Sequence, residues 1–200
     1  MNKYDENLKK IYNDIINDQE NIDYTNKGWQ PLYNVTSKSK ILIIGQAPGI
    51  KAQTKNKTWD DKSGDKLRTW LGVNRIEFFN PDIFGMLPMD FYYPGKGKTG
   101  DLPPRIEFAQ KWHPKIISNL PNLKLIVLIG NYSQKYYLGD KYKRTLTETV
   151  KSFKEFIPNF FPLPHPSPLN FRWFNNNLWF ELEALPKFKK LINAIIKENA

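Results

Sequence analysis

Only two histidines occur in this chain of 200 residues, and one of them is hemmed in by prolines. His165 lies in Pro162-Leu163-Pro164-His165-Pro166-Ser167-Pro168-Leu169-Asn170, where four prolines restrict the backbone on both sides. A lone loop histidine is usually just solvated. An imidazole held in place before any ligand arrives is suited instead to donating a hydrogen bond or moving a proton. The other histidine, His113 in Lys111-Trp112-His113-Pro114-Lys115, reads as a partly exposed structural residue of a helix.

Three more segments carry residue types with chemical potential. In Gly45-Gln46-Ala47-Pro48-Gly49 the two glycines permit close backbone approach, while Pro48 fixes the turn and removes one donor. Amides there could hold a base edge or a phosphate, although the pentapeptide alone reads as a plain strand-to-loop turn. Thr58-Trp59-Asp60-Asp61-Lys62-Ser63-Gly64 sets a large aromatic beside two carboxylates at a helix entrance. A Trp59 face can stack on a nucleobase, worth roughly 1–3 kcal/mol per base. Asp60 or Asp61 could orient water or steady positive charge on a sugar. Taken alone, a core tryptophan and an acidic pair complementing the helix dipole explain this segment more simply.

The third segment, Tyr92-Tyr93-Pro94-Gly95-Lys96-Gly97-Lys98-Thr99-Gly100-Asp101, superficially suggests a phosphate-binding loop of a nucleotide triphosphatase. That pattern requires glycine at position 92, where tyrosine stands, and Pro103-Pro104 delay any following helix. What remains is a basic, aromatic-flanked loop in which Lys96 and Lys98 could meet a nucleic-acid backbone, or a solvated surface loop.

These loops need a scaffold, and the apolar pattern supplies one. Ile41-Leu42-Ile43-Ile44 and Leu125-Ile126-Val127-Leu128-Ile129 are short unbroken apolar runs, each followed by glycine, as in buried strands of a parallel sheet. Ile83–Met89 and Phe160–Leu163 are further strand candidates. Tyr4, Leu8, Ile11, Tyr12, Ile15 and Ile16 share one face of an opening helix. A second helix is expected with Ser63 as its N-cap, Leu67, Trp70 and Leu71 on its apolar face, and Gly72 as its stop. Helices are also expected over Pro104–Ser118, over Tyr132–Leu138, and through Leu185, Phe188, Leu191, Ile192, Ile195 and Ile196. The alternation predicts a three-layer αβα sandwich with a central, mainly parallel, roughly four-stranded sheet. Residues 1–200 are expected to form a single domain, with 1–35 as an N-terminal helical extension packed on it. In such sheets ligands bind at the loops after the carboxyl ends of the strands.

Composition narrows the function classes. There is no cysteine, which excludes disulfides, a cysteine nucleophile, and thiolate-held zinc or iron–sulfur clusters. No stretch approaches membrane-spanning length and the start is polar, so a cytoplasmic protein without a membrane partner is expected. Thirty Lys and Arg against twenty Asp and Glu give a formal net charge of +10, which favours a polyanionic partner through counterion release. An AT-rich genome enriching Lys and Asn would give the same excess, so charge alone does not choose.

His165-Pro166-Ser167-Pro168-Leu169-Asn170 resembles the HPSPL-type signature of the uracil-DNA glycosylase superfamily. Gly45–Gly49 resembles its first motif, GQDPY in the commonest branch and GEAPG in the iron–sulfur branch. The segments containing Trp59 and Leu125–Gly139 fall in the matching order, so the resemblance covers roughly residues 40 to 195. It implies a DNA glycosylase acting on uracil or another deaminated base, needing no cofactor and working as a monomer on single- or double-stranded DNA. His165 would donate to the base O2 as charge develops there, and Trp59 would stack on the flipped base. Gly45, Gln46, Ala47 and the neighbourhood of Leu87 would line the pocket. Ser167 would bind a flanking phosphate, Leu169 would wedge into the duplex, and Lys96, Lys98 and Arg172 would meet the backbone. Two departures stand out: Ala47 replaces the water-activating Asp, and Leu87 replaces the Asn that reads the uracil edge. The water then falls to Gln46 for positioning and to Asp61, or Asp60, for its proton. A catalytically weak or inactive nucleic-acid-binding member of the same fold, and a hydrolase of free nucleosides or nucleotides, are the alternatives.

Overall fold

A computed structural model describes residues 2–198. The chain opens with α1 (Lys3–Ile16) and α2 (Ile22–Asn26), then enters the sheet through β1 (Ile41–Ile44). Helices α3 (Ile50–Lys55), α4 (Lys62–Leu71) and α5 (Arg75–Phe78) lead to β2 (Phe84–Met86) and a small hairpin, β3 (Lys96–Gly97) and β4 (Gly100–Asp101). Then follow α6 (Ile106–Ile117), β5 (Leu125–Ile129), α7 (Asn131–Leu138), α8 (Leu146–Lys151) and β6 (Phe160–Leu163). Helices α9 (Phe171–Asn176) and α10 (Leu185–Lys197) complete the fold.

The large sheet has the order β2-β1-β5-β6, and every pairing in it is parallel. Side chains alternate between faces along each strand. Ile41, Ile43, Leu125, Val127 and Phe161 therefore pack with Leu67, Trp70, Phe180 and Phe188 in one core layer. Leu42, Ile44 and Leu128 face the other layer, with Leu8, Ile11 and Ile15 of α1 and Phe108, Trp112 and Ile116 of α6. Strands this apolar must be covered on both sides, and the outcome is the expected αβα sandwich. Asn34 exchanges two backbone bonds with Met86, so the outer edge of β2 is also partnered.

Because the strands are parallel, the loops after β1, β2, β5 and β6 all leave from one edge of the sheet. The chain moves from β1 to β2 on one side, then crosses to β5 on the other, opening the crevice where such sheets bind ligands. Three local expectations are corrected. Helix α4 is capped by Asp61, whose Oδ1 accepts from the Gly64 N–H at 2.9 Å; Ser63 lies inside the helix. The 83–89 strand shrinks to Phe84–Met86: Leu87 and Met89 still donate to the Ile43 and Gly45 carbonyls, but Pro88 has no N–H to continue the outer-edge pairing that Met86 makes with Asn34. His113 is 1 % exposed, sandwiched in the core of the α6 layer.

Asp90 and Arg105 fasten the excursion that carries the hairpin. Asp90 is fully buried and accepts from Arg105 Nε at 2.7 Å and Nη2 at 2.9 Å, and from the Tyr92 N–H at 3.1 Å. Arg105 Nη1 donates in turn to Glu20 O at 3.1 Å and Asn21 Oδ1 at 3.0 Å. Both feet of the excursion are thereby pinned to each other and to the segment joining α1 and α2.

Candidate active site

A cavity of about 680 Å³ opens at the carboxyl edge of β1 and is walled by Gly45–Gly49, Trp59, Asp61, Pro88, Asp101 and His165. Its floor is the backbone after β1. The Gly45 and Gln46 carbonyls accept from Met89 and Asp90 N–H groups, which locks this loop to the chain leaving β2.

Trp59 is held by two glycines. It adopts φ +55°, a left-handed conformation uncommon for a bulky residue. Its ring lies so close to Gly45 that a Cβ there would come within 3.1 Å of Cζ2. Its carbonyl rests on Gly64, where a Cβ would lie about 2.5 Å from the carbonyl carbon. The first turn of α4 thus backs directly onto Trp59, and only glycine allows it. The indole sits 5.9 Å from the His165 ring, tilted by 30°.

His165 is ordered by its own loop. The Ser167 N–H donates to Nδ1 at 3.2 Å, so the ring proton of the neutral imidazole belongs on Nε2. Asn170 Nδ2 donates to the His165 carbonyl at 2.8 Å and closes the loop from behind. Burial pushes the imidazole below its ordinary pKa, against the opposing influence of the Asp61 carboxylate. His165 is therefore a neutral, oriented N–H donor at neutral pH.

Most residues expected at the site do converge on it. Gly45, Gln46, Ala47, Trp59, Asp61, His165, Ser167 and Leu169 all line the cavity. Leu169 stands at its rim with 86 % of its surface exposed, on a turn in which Ser167 Oγ accepts from the Leu169 N–H. Others do not. Leu87 is fully buried among the α6-side core residues, and Pro88 occupies the wall in its place. Asp60 is turned outward onto Arg75 and Lys57, and hydrogen bonding to Arg75 holds its carboxyl below the usual range. Lys96, Lys98 and Arg172 are exposed and lie outside the lining, Arg172 over the Phe171 ring.

Asp101 was given no role from sequence, yet it reaches the cavity through the hairpin. Thr99, Pro94 and Asn170 join it there. The only hint in the sequence was the glycine spacing of Gly95, Gly97 and Gly100, which permits a tight reversal.

The family model of the uracil DNA glycosylase superfamily matches residues 32–189. The chain belongs to this superfamily. Its lack of cysteine sets it apart from the iron–sulfur branch. Superfamily membership carries a glycosylase type of hydrolytic activity, with DNA as the partner. Among the described residues, no group of three or more His, Asp or Glu is placed to hold a metal ion, and no helix is long and apolar enough to cross a membrane.

Proposed function

We propose that this superfamily member is a monofunctional DNA glycosylase that removes uracil or another deaminated base by hydrolysing its N-glycosidic bond. The observation that carries the reading is the fixed tautomer of His165, an Nε2–H donor beside the Trp59 ring in a cavity large enough for a flipped nucleotide. As the bond to the sugar breaks, its electron pair moves onto the base and charge gathers on the carbonyl oxygen beside the reacting nitrogen. A preoriented neutral donor meets that charge without reorganising, which is where such donors gain most. Trp59 holds the base by stacking.

The remaining roles follow from position. Leu169, projecting from the rim, fills the space left in the duplex at an unstacking cost of a few kcal/mol. Ser167 takes a flanking phosphate, while Lys96, Lys98 and Arg172 meet the backbone from the surrounding surface. Gln46 positions the attacking water, and a carboxylate of the cavity wall receives its proton; Asp61 is the one expected from sequence. Uracil is not singled out among deaminated bases, because no side-chain amide stands at Leu87 to read its edge.

Ala47 favours a second reading, in which the protein keeps the fold and binds nucleic acid without chemistry. One assay separates them. Labelled oligonucleotides carrying uracil, hypoxanthine, xanthine or no damage are incubated with the protein and treated with alkali to cut abasic sites. Cleavage at one damaged base, reduced by about a hundredfold or more in His165→Ala with DNA affinity kept, is the expected result. Absence of cleavage at every base, with salt-sensitive DNA binding intact, would leave the binding reading in its place.

A further inference from the structure

Hydrolysis needs a group to accept the proton of the attacking water, and Asp61 already caps a helix. Its Oδ1 is committed to the Gly64 N–H at the start of α4, the very turn that supports Trp59. Taking up a proton would weaken that cap, because the charged carboxylate is the stronger acceptor. Ala47 offers no polar atom, and Gln46 Nε2 donates to the Leu102 carbonyl at 3.3 Å.

Asp101 caps no helix. It sits on β4 as the cross-strand partner of Lys96, and its Oδ2 lies 3.9 Å from where a Cβ on Gly49 would stand. The carboxylate therefore hangs over the Gly45–Gly49 loop, the same loop whose third residue is Ala47. Its Oδ1 accepts from the Tyr93 O–H at 3.2 Å, which orients the group and leaves Oδ2 toward the loop. The excursion is fastened at three points: Tyr93 N–H donates to Gln53 Oε1 at 2.9 Å, Gln46 Nε2 donates to the Leu102 carbonyl, and the Asp90–Arg105 pair closes its base.

We infer that Asp101 is the catalytic residue that takes the proton from the attacking water, substituting from a different element for the carboxylate missing at position 47. The inference rests on the glycosylase reading above and deepens it. As the C1′–N bond breaks, its electron pair goes to the departing base, whose oxygen anion is met by His165 Nε2–H. The water oxygen bonds to C1′, and its proton goes to Asp101 Oδ2. The released base later takes up a proton from solvent, and Asp101 returns its own. Asp61 stays with its helix and faces His165 as a fixed negative charge near the developing sugar cation.

The test is single-turnover excision of the base that the wild type removes, with Asp101→Asn, Asp61→Asn, and Asp101→Asn combined with Ala47→Asp. Binding is read separately on an oligonucleotide carrying the 2′-fluoro nucleotide of that same base, whose glycosidic bond resists cleavage. Asp101→Asn should slow excision by about a hundredfold or more with binding preserved. Adding Ala47→Asp should recover at least about tenfold of that loss, which a merely structural role for Asp101 would not permit. An Asp101→Asn rate within about threefold of wild type overturns the assignment, and so does failure of Ala47→Asp to recover any rate. Excision by Asp61→Asn falling further than by Asp101→Asn, at unchanged melting temperature, would return the role to Asp61. If the wild type excises no base at all, the glycosylase reading falls and this one with it, an outcome distinct from a fast Asp101→Asn enzyme.

Discussion

Lowering the pH from 7 to 5 should cost this protein about 2 kcal/mol of stability through His113 alone. Its Nε2 lies 3.0 Å from the Pro88 carbonyl, which can only accept, so that nitrogen carries the proton. Nδ1 is left to accept from the Tyr137 O–H at 2.7 Å. A second proton would place a charge in the core, and burial pushes the imidazole from its ordinary 6.5 to about 4. Between those values the unfolded chain binds one proton that the folded chain refuses. The contribution is thus fully present above 6.5 and is lost as the pH falls toward about 4, at roughly 1.4 kcal/mol per pH unit. Urea unfolding at pH 7, 6 and 5 measures it, with His113→Gln as a comparator that keeps a donor and an acceptor but does not titrate. His165 is shifted in the same direction and contributes equally to both proteins, so it cancels. The wild type should lose about 2 kcal/mol more than His113→Gln over this range. Equal losses would refute the argument, because a histidine that titrates alike folded and unfolded cannot produce the difference.

Gly64→Ala should lower stability by roughly 1–3 kcal/mol, because the new methyl meets a backbone carbonyl that cannot rotate away. Trp59 must then retreat, so excision should fall as well; unchanged melting and rate would show that the close approach is dispensable. Leu169→Ala should slow excision from duplex DNA by about tenfold while leaving single strands nearly unaffected, since only the duplex must be wedged open. Equal effects on the two substrates would remove the wedge assignment.

The sheet was legible because its evidence is local. Ile41–Ile44 and Leu125–Ile129 are apolar throughout and end in glycine, and both became central strands buried on both faces. Trp59, Gln46 and His165 were legible as residues of the cavity wall for a related reason: each follows or borders an element whose type could be read, so topology brings them to one edge. What escaped depends on distant partners. His113 looks half-exposed in its own helix, and its cover comes from Phe91, Tyr136 and Tyr137 on other elements. The choice of Asp61 over Ser63 as helix cap is made by the contact between Gly64 and Trp59, since both residue types cap helices well. Leu87 misled because a short strand gives no warning of where the residue after it points. Asp101 was hidden because two-residue strands have no periodicity to detect.

The family match begins at residue 32, and a protein chemist seeking a minimal domain would cut there. Arg105 argues against the cut. Its Nη1 is satisfied by Glu20 and Asn21, both on the discarded side, while its other nitrogens hold the fully buried Asp90. Trimming would leave a half-buried guanidinium short of acceptors on an excursion that ends, a few residues away, at Asp101. A shortened protein would also lose Leu8, Ile11 and Ile15 from the layer that covers Leu42, Ile44 and Leu128, and would present a loosened cavity wall. The first turn after α1, far along the chain from the cavity, is in this sense part of what holds the cavity wall in place.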